Sequence, residues 1–137
     1  TELFEPSFLS DYKKILRGKL HGEEVVLWGN GHQKRELIYI DDFVNSMVKL
    51  DSILSNESIN IGAGEEYSIR HFAERICNLT NYDFDKIKFD ETKYVGAKSK
   101  CLDIEKLNSL LPKRSFKSLD DGLKETIKWV EKSSWIL

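Results

Sequence analysis

The side chains best suited to bind a ligand lie in one stretch of the chain, residues 25–42. There an apolar run ends at Trp28 and a glycine turn, and a second run begins with Arg35 and ends at Asp41 and Asp42. A guanidinium presents a planar fork of N–H donors that suits a diphosphate, and an indole offers a flat face to a base or a sugar. The alternatives are an ion pair between Arg35 and either aspartate, and packing of Trp28 in the core.

Two β-prone runs and an amphipathic helix carry these residues. The patterns of residues 24–28 and 35–40 predict strands. Asp41 or Asp42 is expected to cap the helix that follows. The apolar side chains of that helix recur at helical spacing and are predicted to face the core; they are Phe43, Val44, Met47, Val48, Leu50 and Leu54.

The rest of the chain alternates between helices and short strands in the same way. Strands are predicted over residues 58–61 and 86–90. Helices are predicted over residues 6–20, after the cap residue Ser68, between Asp103 and Pro112, and after a capping box that begins at Ser118. We find no repeat, low-complexity tract or linker. The sequence therefore predicts one α/β domain over residues 1–137.

Composition and charge exclude several classes of protein. The chain has 137 residues, of which 40% are hydrophobic and 32% charged, which is enough for one domain with a core. A formal net charge of −2 gives no general attraction to nucleic acid or to an anionic membrane. No apolar run is long enough to span a bilayer. The first residues have neither the basic start nor the apolar core of a signal peptide, so we expect a cytoplasmic protein.

The cysteines and histidines predict no metal site. Cys77 and Cys101 form no C-x-x-C pair, and His21, His32 and His71 are scattered along the chain. We expect two reduced thiols with structural roles.

Five segments, in this order, resemble one family. They are Trp28 to Asp42 (W-G-x-G-x(3)-R-E-x-x-Y-I-D-D), Ile59 to Gly64 (I-N-I-G-A-G), Ser68 to Arg70 (S-I-R), Gly96 to Asp103 (G-x(3)-K-x-L-D) and Leu119 to Trp129, which is similar to a closing helix with a terminal tryptophan. Together they are similar to the extended short-chain dehydrogenase/reductases, the nucleotide-sugar epimerases and reductases, and most closely to the GDP-fucose synthase branch. The resemblance extends over nearly the whole chain.

The resemblance implies roles for four residues. In this family the arginine that matches Arg35 binds the diphosphate, and Trp28 is expected to contact the base or the sugar. Lys86 and Lys13 fall near basic substrate contacts of the family, although a solvent-exposed position on the first helix is the alternative for Lys13. The preferred substrates are GDP-linked 4-keto-6-deoxy sugars. The chain departs from the family at Tyr94 and Val95, where an acidic residue and a proline are frequent.

The chemistry of these enzymes requires motifs that the chain lacks. The cofactor pyrophosphate needs a G-x-x-G-x-x-G turn before a helix, and neither glycine turn here has the third glycine. Proton transfer needs a Tyr-x-x-x-Lys pair on one helical face. The two matches, at Tyr82 and Tyr94, do not lie in predicted helices. We therefore assign no catalytic, cofactor-binding or metal-binding residue, and we expect NAD or NADP to bind in the parent enzyme and not to this chain alone.

These observations predict the C-terminal, substrate-binding lobe of an extended Rossmann-type sugar-nucleotide enzyme whose nucleotide-binding half is absent. Its expected partners are a nucleotide-diphosphate sugar, the missing N-terminal half and further copies in a homo-oligomer. In the parent enzyme, an NAD(P)-dependent epimerase, dehydratase or reductase, the lobe would hold the diphosphate and orient the sugar. The alternative is a free-standing, non-catalytic module that binds a nucleotide or a protein. We also expect the strand at residues 59–61 to leave an unpaired apolar edge.

Overall fold

Helices and short strands alternate along the part of the chain that the computed structural model describes, residues 7–132, with side chains from residue 12 onward. The helices are α1 (Ser7–His21), α2 (Ile40–Asp51), α3 (Ile69–Thr80), α4 (Glu105–Leu110) and α5 (Leu119–Lys132). The strands are β1 (Val25–Trp28), β2 (Lys34–Glu36), β3 (Glu66–Ser68) and β4 (Ile87–Asp90), and a 3-10 turn, Phe84–Lys86, precedes β4. The predicted α/β class is confirmed.

Within residues 7–132, two pairs of strands form the sheets. β1 and β4 are parallel, and Val25 is paired with Ile87 and Trp28 with Asp90. β2 and β3 are antiparallel, with Arg35 opposite Tyr67. Because β1 and β4 run in the same direction, the loops that follow Trp28 and Asp90 leave the same edge of the pair.

The core lies where α1, α3 and α5 pack against the parallel strands. Val25 and Leu27 of β1 are fully buried and alternate with the half-buried Val26 and the exposed Trp28, as expected for a strand with one covered face. The helices contribute side chains at helical spacing, and burial of this apolar surface is the main favourable term in folding. The buried helical residues are Tyr12, Ile15, Leu16, Ile69, Phe72, Ala73, Ile76, Cys77, Leu123, Ile127 and Val130.

Helix α3 forms as the sequence predicts. Ser68 is its N-cap, and the Ser68 hydroxyl accepts a hydrogen bond from the N–H of His71. This bond satisfies one of the N–H groups that a helix start leaves without a partner. At the other end Asn81 adopts the left-handed conformation (φ 54°) and ends the helix.

The predicted start of α2 is wrong. The helix begins at Ile40, its N-cap is Tyr39 without a side-chain hydrogen bond, and Asp41 and Asp42 lie within the first turn. Asp42 instead accepts a hydrogen bond from the main-chain N–H of Lys117 (2.8 Å), so its carboxylate connects α2 to the segment before α5. Carboxylates in the first turn still favour the helix through its dipole.

The predicted burial of α2 is also partly wrong. Leu50 is buried and Phe43 and Leu54 are half-buried, but the other three predicted core residues are exposed. No element of the described chain covers this face. With Ile40 it forms an apolar face, defined here by Ile40 (62% exposed), Val44 (46%), Met47 (49%) and Val48 (69%).

Two predicted strands differ from the observed ones. β2 ends at Glu36 and not at residue 40, because its partner β3 extends only to Glu66 and the chain then turns into α2. Residues 58–61 form no strand, since nothing in the described residues pairs with them. Strand β3 was not predicted, because three residues are too few to show a period.

The remaining element predictions hold within one or two residues. The capping box forms: the Ser118 hydroxyl donates to Asp121 and accepts from the Asp121 N–H. Asp103 accepts from the N–H of Glu105 at the start of α4. Leu20 in the last turn of α1 is exposed and not in the core. Pro6 and the side chains of Phe8 and Leu9 lie outside the described residues.

Candidate functional site

A cleft opens at the carboxyl end of the parallel strands. Ligands of α/β proteins bind in such positions, because the loops that leave this edge of a sheet are free to vary. The cleft has a volume of about 210 Å³. Its lining residues come from the ends of β1 and β2, the start of α3 and the loop after β4: Trp28, Gln33, Arg35, Ile69, Tyr94, Val95 and Gly96.

The Arg35 guanidinium forms one wall of this cleft. Its Nη1 donates to the main-chain oxygens of Lys34 (2.6 Å) and Ala97 (2.9 Å), and its Nη2 donates to that of Val95 (3.0 Å). Arg35 is half-buried. The bonds to Ala97 and Val95 hold the loop after β4 against β2. The N–H of Lys34 adds a third bond between β2 and this loop, to the main-chain oxygen of Lys98 (2.8 Å).

Two of the five guanidinium N–H groups have no partner among the described residues. They are the Nε–H and one N–H of Nη2 of Arg35, because both N–H groups of Nη1 and one of Nη2 donate to carbonyls. Nε and Nη2 are neighbouring donors, so together they can face two oxygens of one phosphate. The side chain therefore combines a structural role with capacity for an anion.

The ion pair that the sequence left open for Arg35 does not form in the described part of the chain. Its guanidinium contacts carbonyl oxygens, whereas the carboxylate of Asp42 accepts from Lys117 and Asp41 is exposed. The charge of Arg35 is thus not neutralised by either aspartate.

Trp28 is not a core residue. It is 55% exposed at the last position of β1, and its ring faces the Nζ of Lys14, which lies 5.7 Å from the ring centroid. The same ammonium donates to the main-chain oxygen of Val26 (3.0 Å), so α1 carries a cation to the end of β1. An exposed indole beside a cation and an arginine remains available for contact with a flat polar ligand.

Sequence reasoning missed two contributors to the cleft. Gln33 donates through Nε2 to the main-chain oxygen of Trp28 (3.2 Å), and its Oε1 is buried without a partner among the described residues. Asp90 accepts from the N–H (3.0 Å) and hydroxyl (2.6 Å) of Thr92, which orders the start of the loop after β4. These bonds lower the pKa of the Asp90 carboxyl, so the group stays ionised. The only feature of the sequence that could have identified Gln33 was its position just after the glycine turn at residues 29–31.

Glu36, next to Arg35, connects two other loops. Its Oε1 accepts from the N–H of Gly64 (2.6 Å) and its Oε2 from the N–H of Leu102 (2.8 Å). A Cβ added to Gly62 would lie 2.4 Å from the Glu36 Oε1. The carboxylate therefore sits against a glycine and holds the backbone that precedes β3 and the backbone that precedes α4.

The two lysines that the family resemblance suggested lie elsewhere. Lys86 is exposed in the turn before β4, and the register places it at the amino end of the strand pair, opposite to Trp28. Lys13 is half-buried on α1. Neither side chain lines the cleft.

Neither of the two glycine turns, at residues 29–31 and 62–64, has the geometry that holds the pyrophosphate of a dinucleotide cofactor. The turn at residues 29–31 leads from β1 into β2, and the turn at residues 62–64 leads into β3. Neither turn opens a helix whose N-terminal N–H groups could bind the pyrophosphate.

Neither a metal nor a membrane span is indicated in the part of the chain that is described. No group of three or more His, Cys, Asp or Glu side chains that could hold a metal ion occurs there. None of the described helices is long and apolar enough to cross a membrane. Both cysteines are free; Cys77 is buried, which raises the pKa of its thiol to about 11, and Cys101 is exposed.

Comparison with known proteins identifies the relatives of the chain. The model of the NAD dependent epimerase/dehydratase family matches residues 7–62. GDP-L-fucose synthase 1 of Arabidopsis thaliana is 38% identical over 125 residues, which are 88% of this chain and 38% of that protein. GDP-L-fucose synthase of Escherichia coli (strain K12) is 30% identical over 116 residues, 77% of this chain and 36% of that protein.

Solved structures give the same result. The fold superposes on UDP-glucose 4-epimerase of Thermotoga maritima, solved with UDP-glucose, with a TM-score of 0.81 and 26% identity over 96% of this chain and 41% of that one. The GDP-L-fucose synthetase of Naegleria fowleri bound to NADP has a TM-score of 0.83, at 24% identity, over 93% of this chain and 41% of that one. The chain thus spans about two fifths of the length of the relatives that it matches. These matches show that the chain belongs to the NAD-dependent epimerase/dehydratase family, the extended short-chain dehydrogenase/reductases.

Proposed function

We propose that this chain is the substrate-binding part of an NAD(P)-dependent nucleotide-sugar epimerase, dehydratase or reductase, similar to GDP-fucose synthase. Arg35 would bind the diphosphate, and Trp28 would contact the base or the sugar. The observation that carries the proposal is the Arg35 guanidinium, which lines the cleft at the carboxyl ends of β1 and β4 with two neighbouring N–H groups left for an anion.

The charge around the cleft supports an anionic ligand. Lys14 lies over Trp28, and Lys93 and Lys98 are exposed in the loop that Arg35 holds. Cations near a cleft raise the local concentration of a diphosphate. Lys86 and Lys13 do not line the cleft. Their contacts with the substrate stay predictions.

The proposed partner of this part is the nucleotide-binding half that its relatives carry. The chain matches only 38% of the length of the Arabidopsis protein, and the apolar face of α2 has no cover in the described residues. Residues 58–61 have a strand-like pattern and no partner strand among residues 7–132. We assign both surfaces to contact with that half, which would hold NAD or NADP. Assembly into a homo-oligomer and a cytoplasmic location stay predictions.

The chain would orient the sugar because it binds the diphosphate to which the sugar is attached. When the diphosphate is held at Arg35, the sugar that is attached to it can reach only positions near the cleft. Such restriction lowers the entropic barrier to a later reaction. The chain would thus contribute binding and orientation, while proton transfer and redox chemistry belong to the other half.

Binding of GDP to Arg35 variants tests the proposal. A hydrogen bond to a charged group contributes about 1.5–3 kcal/mol, so Arg35→Ala should weaken GDP binding by roughly ten- to a hundredfold. Arg35→Lys should recover only part of the loss, because an ammonium keeps the charge without the fork. Isothermal titration calorimetry measures the affinity, and circular dichroism confirms that each variant is folded at the temperature of the titration.

Arg17→Ala is the matched control. Its guanidinium pairs with Glu23 at the other end of β1 and does not line the cleft. Loss of this exposed ion pair should leave GDP affinity unchanged. Equal GDP affinity for the native chain and a folded Arg35→Ala variant would contradict the proposal. Absence of nucleotide binding together with capture of a protein partner would favour the alternative, a non-catalytic module.

A further inference from the structure

Tyr94 occupies an unusual position in the cleft. It lies in the loop after β4, lines the cleft together with Trp28 and Arg35, and is 88% exposed. Large aromatic side chains usually lose most of their exposure on folding, and an exposed aromatic at the edge of a cleft is a frequent feature of ligand contacts.

The backbone on both sides of Tyr94 is fixed although its side chain is exposed. On one side, Asp90 bonds to Thr92; on the other, Arg35 bonds to the main-chain oxygens of Val95 and Ala97. Val95 also packs closely against the turn after β1, since a Cβ on Gly29 would lie 2.4 Å from the Val95 Cγ1. The position of the Tyr94 backbone is therefore determined by the fold.

The size of the cleft and the reaction restrict which part of a ligand Tyr94 can meet. A volume of about 210 Å³ accommodates one ring system and is smaller than a typical pocket for a whole ligand. In the proposed function the sugar must reach a cofactor that the nucleotide-binding half would hold. The ring that stays beside Arg35 is then the nucleobase.

We infer that Tyr94 stacks on the base of the nucleoside diphosphate that Arg35 binds and contributes to the choice of base. This inference rests on the proposed function. Stacking needs only the aromatic ring, so phenylalanine can replace tyrosine. The same contact contributes nothing to the binding affinity of a ligand that has no base.

Titrations with GDP and with inorganic diphosphate test the inference in the chain itself. Removal of one aromatic partner of a stacked base weakens binding by about 5- to 100-fold. Tyr94→Ala should therefore weaken GDP binding by this factor and leave inorganic diphosphate binding unchanged. Tyr94→Phe should bind GDP like the native chain. Titrations of ADP and UDP should show that Tyr94→Ala narrows the differences in affinity among the three nucleotides.

The controls separate this inference from the proposed function. Unchanged GDP affinity in Tyr94→Ala, with a loss in Arg35→Ala, would overturn the role of Tyr94 and leave the proposed function standing. An equal loss of GDP and inorganic diphosphate binding would show that Tyr94 acts through the loop, and would also overturn the inference. A native chain that binds neither ligand would contradict both.

Discussion

Replacing Glu36 by glutamine should destabilise the chain out of proportion to the size of the change. The carboxylate accepts hydrogen bonds from the N–H groups of Gly64 and Leu102, one on each oxygen. Glutamine has one acceptor oxygen, so one of these N–H groups would face an NH₂ group. Bonds to charged acceptors contribute about 1.5–3 kcal/mol each, and the half-exposed position of Glu36 favours the lower end of that range.

The expected loss is about 2 kcal/mol in the free energy of unfolding, obtained by removing one charge-assisted bond and weakening the other. For a chain of this size, that corresponds to a melting temperature lower by roughly 6–10 °C. Urea denaturation followed by circular dichroism measures the change, and the slope with denaturant should stay constant. Glu91→Gln, at an exposed position, is the control and should change stability by less than about 0.5 kcal/mol.

A double-mutant cycle with Gly62 provides a stricter test. A Cβ at position 62 would lie 2.4 Å from the Glu36 Oε1, which its two N–H partners hold in place. Gly62→Ala should therefore be costly in the native chain and less costly in the Glu36→Ala background. Effects that add within about 0.3–0.5 kcal/mol would refute the reasoning, because coupled neighbours deviate by more than this.

Two further predictions concern the cofactor and the exposed helix. Titration of NAD or NADP into the chain should give no dissociation constant in the low micromolar range. Such an affinity requires about 8 kcal/mol of binding free energy, and the glycine turns do not form the pyrophosphate site that would supply it. A measured micromolar constant would contradict this prediction. In analytical ultracentrifugation the chain alone should associate as its concentration rises. Val48→Lys, on the apolar face of α2, should reduce the association, whereas Asn78→Lys, at an exposed position of α3, should not. A native chain that stays strictly monomeric at millimolar concentration would count against this prediction.

Periodic elements with local signals were predictable from the sequence. The spacing of apolar residues in α3 and α5 matches their burial, and the caps at Ser68 and Ser118 form as predicted. Such features depend on residues within one or two turns, which a single sequence contains. The position of Trp28 and Arg35 beside one cleft was predictable for the same reason, because only six residues, including one turn, separate them.

Contacts between distant segments were not predictable. Arg35 bonds to carbonyl oxygens about sixty positions away, and main-chain acceptors leave no trace in residue type. The amphipathic pattern of α2 identifies an apolar face correctly but does not say which surface covers it. The predicted burial of Val44, Met47 and Val48 was wrong for this reason.

The geometry at Arg35 explains why an arginine suits this position better than a lysine. Two of its N–H groups hold the loop that carries Tyr94, a third donates to the main-chain oxygen of Lys34 in its own strand, and two neighbouring ones remain for a phosphate. A lysine has three donors on one nitrogen atom, so its ammonium cannot hold two loop carbonyls and also present a paired fork to an anion. In the proposed function, the order of the loop and the affinity for the diphosphate therefore depend on one side chain. Any change that releases the loop carbonyls should also lower the affinity for the nucleotide.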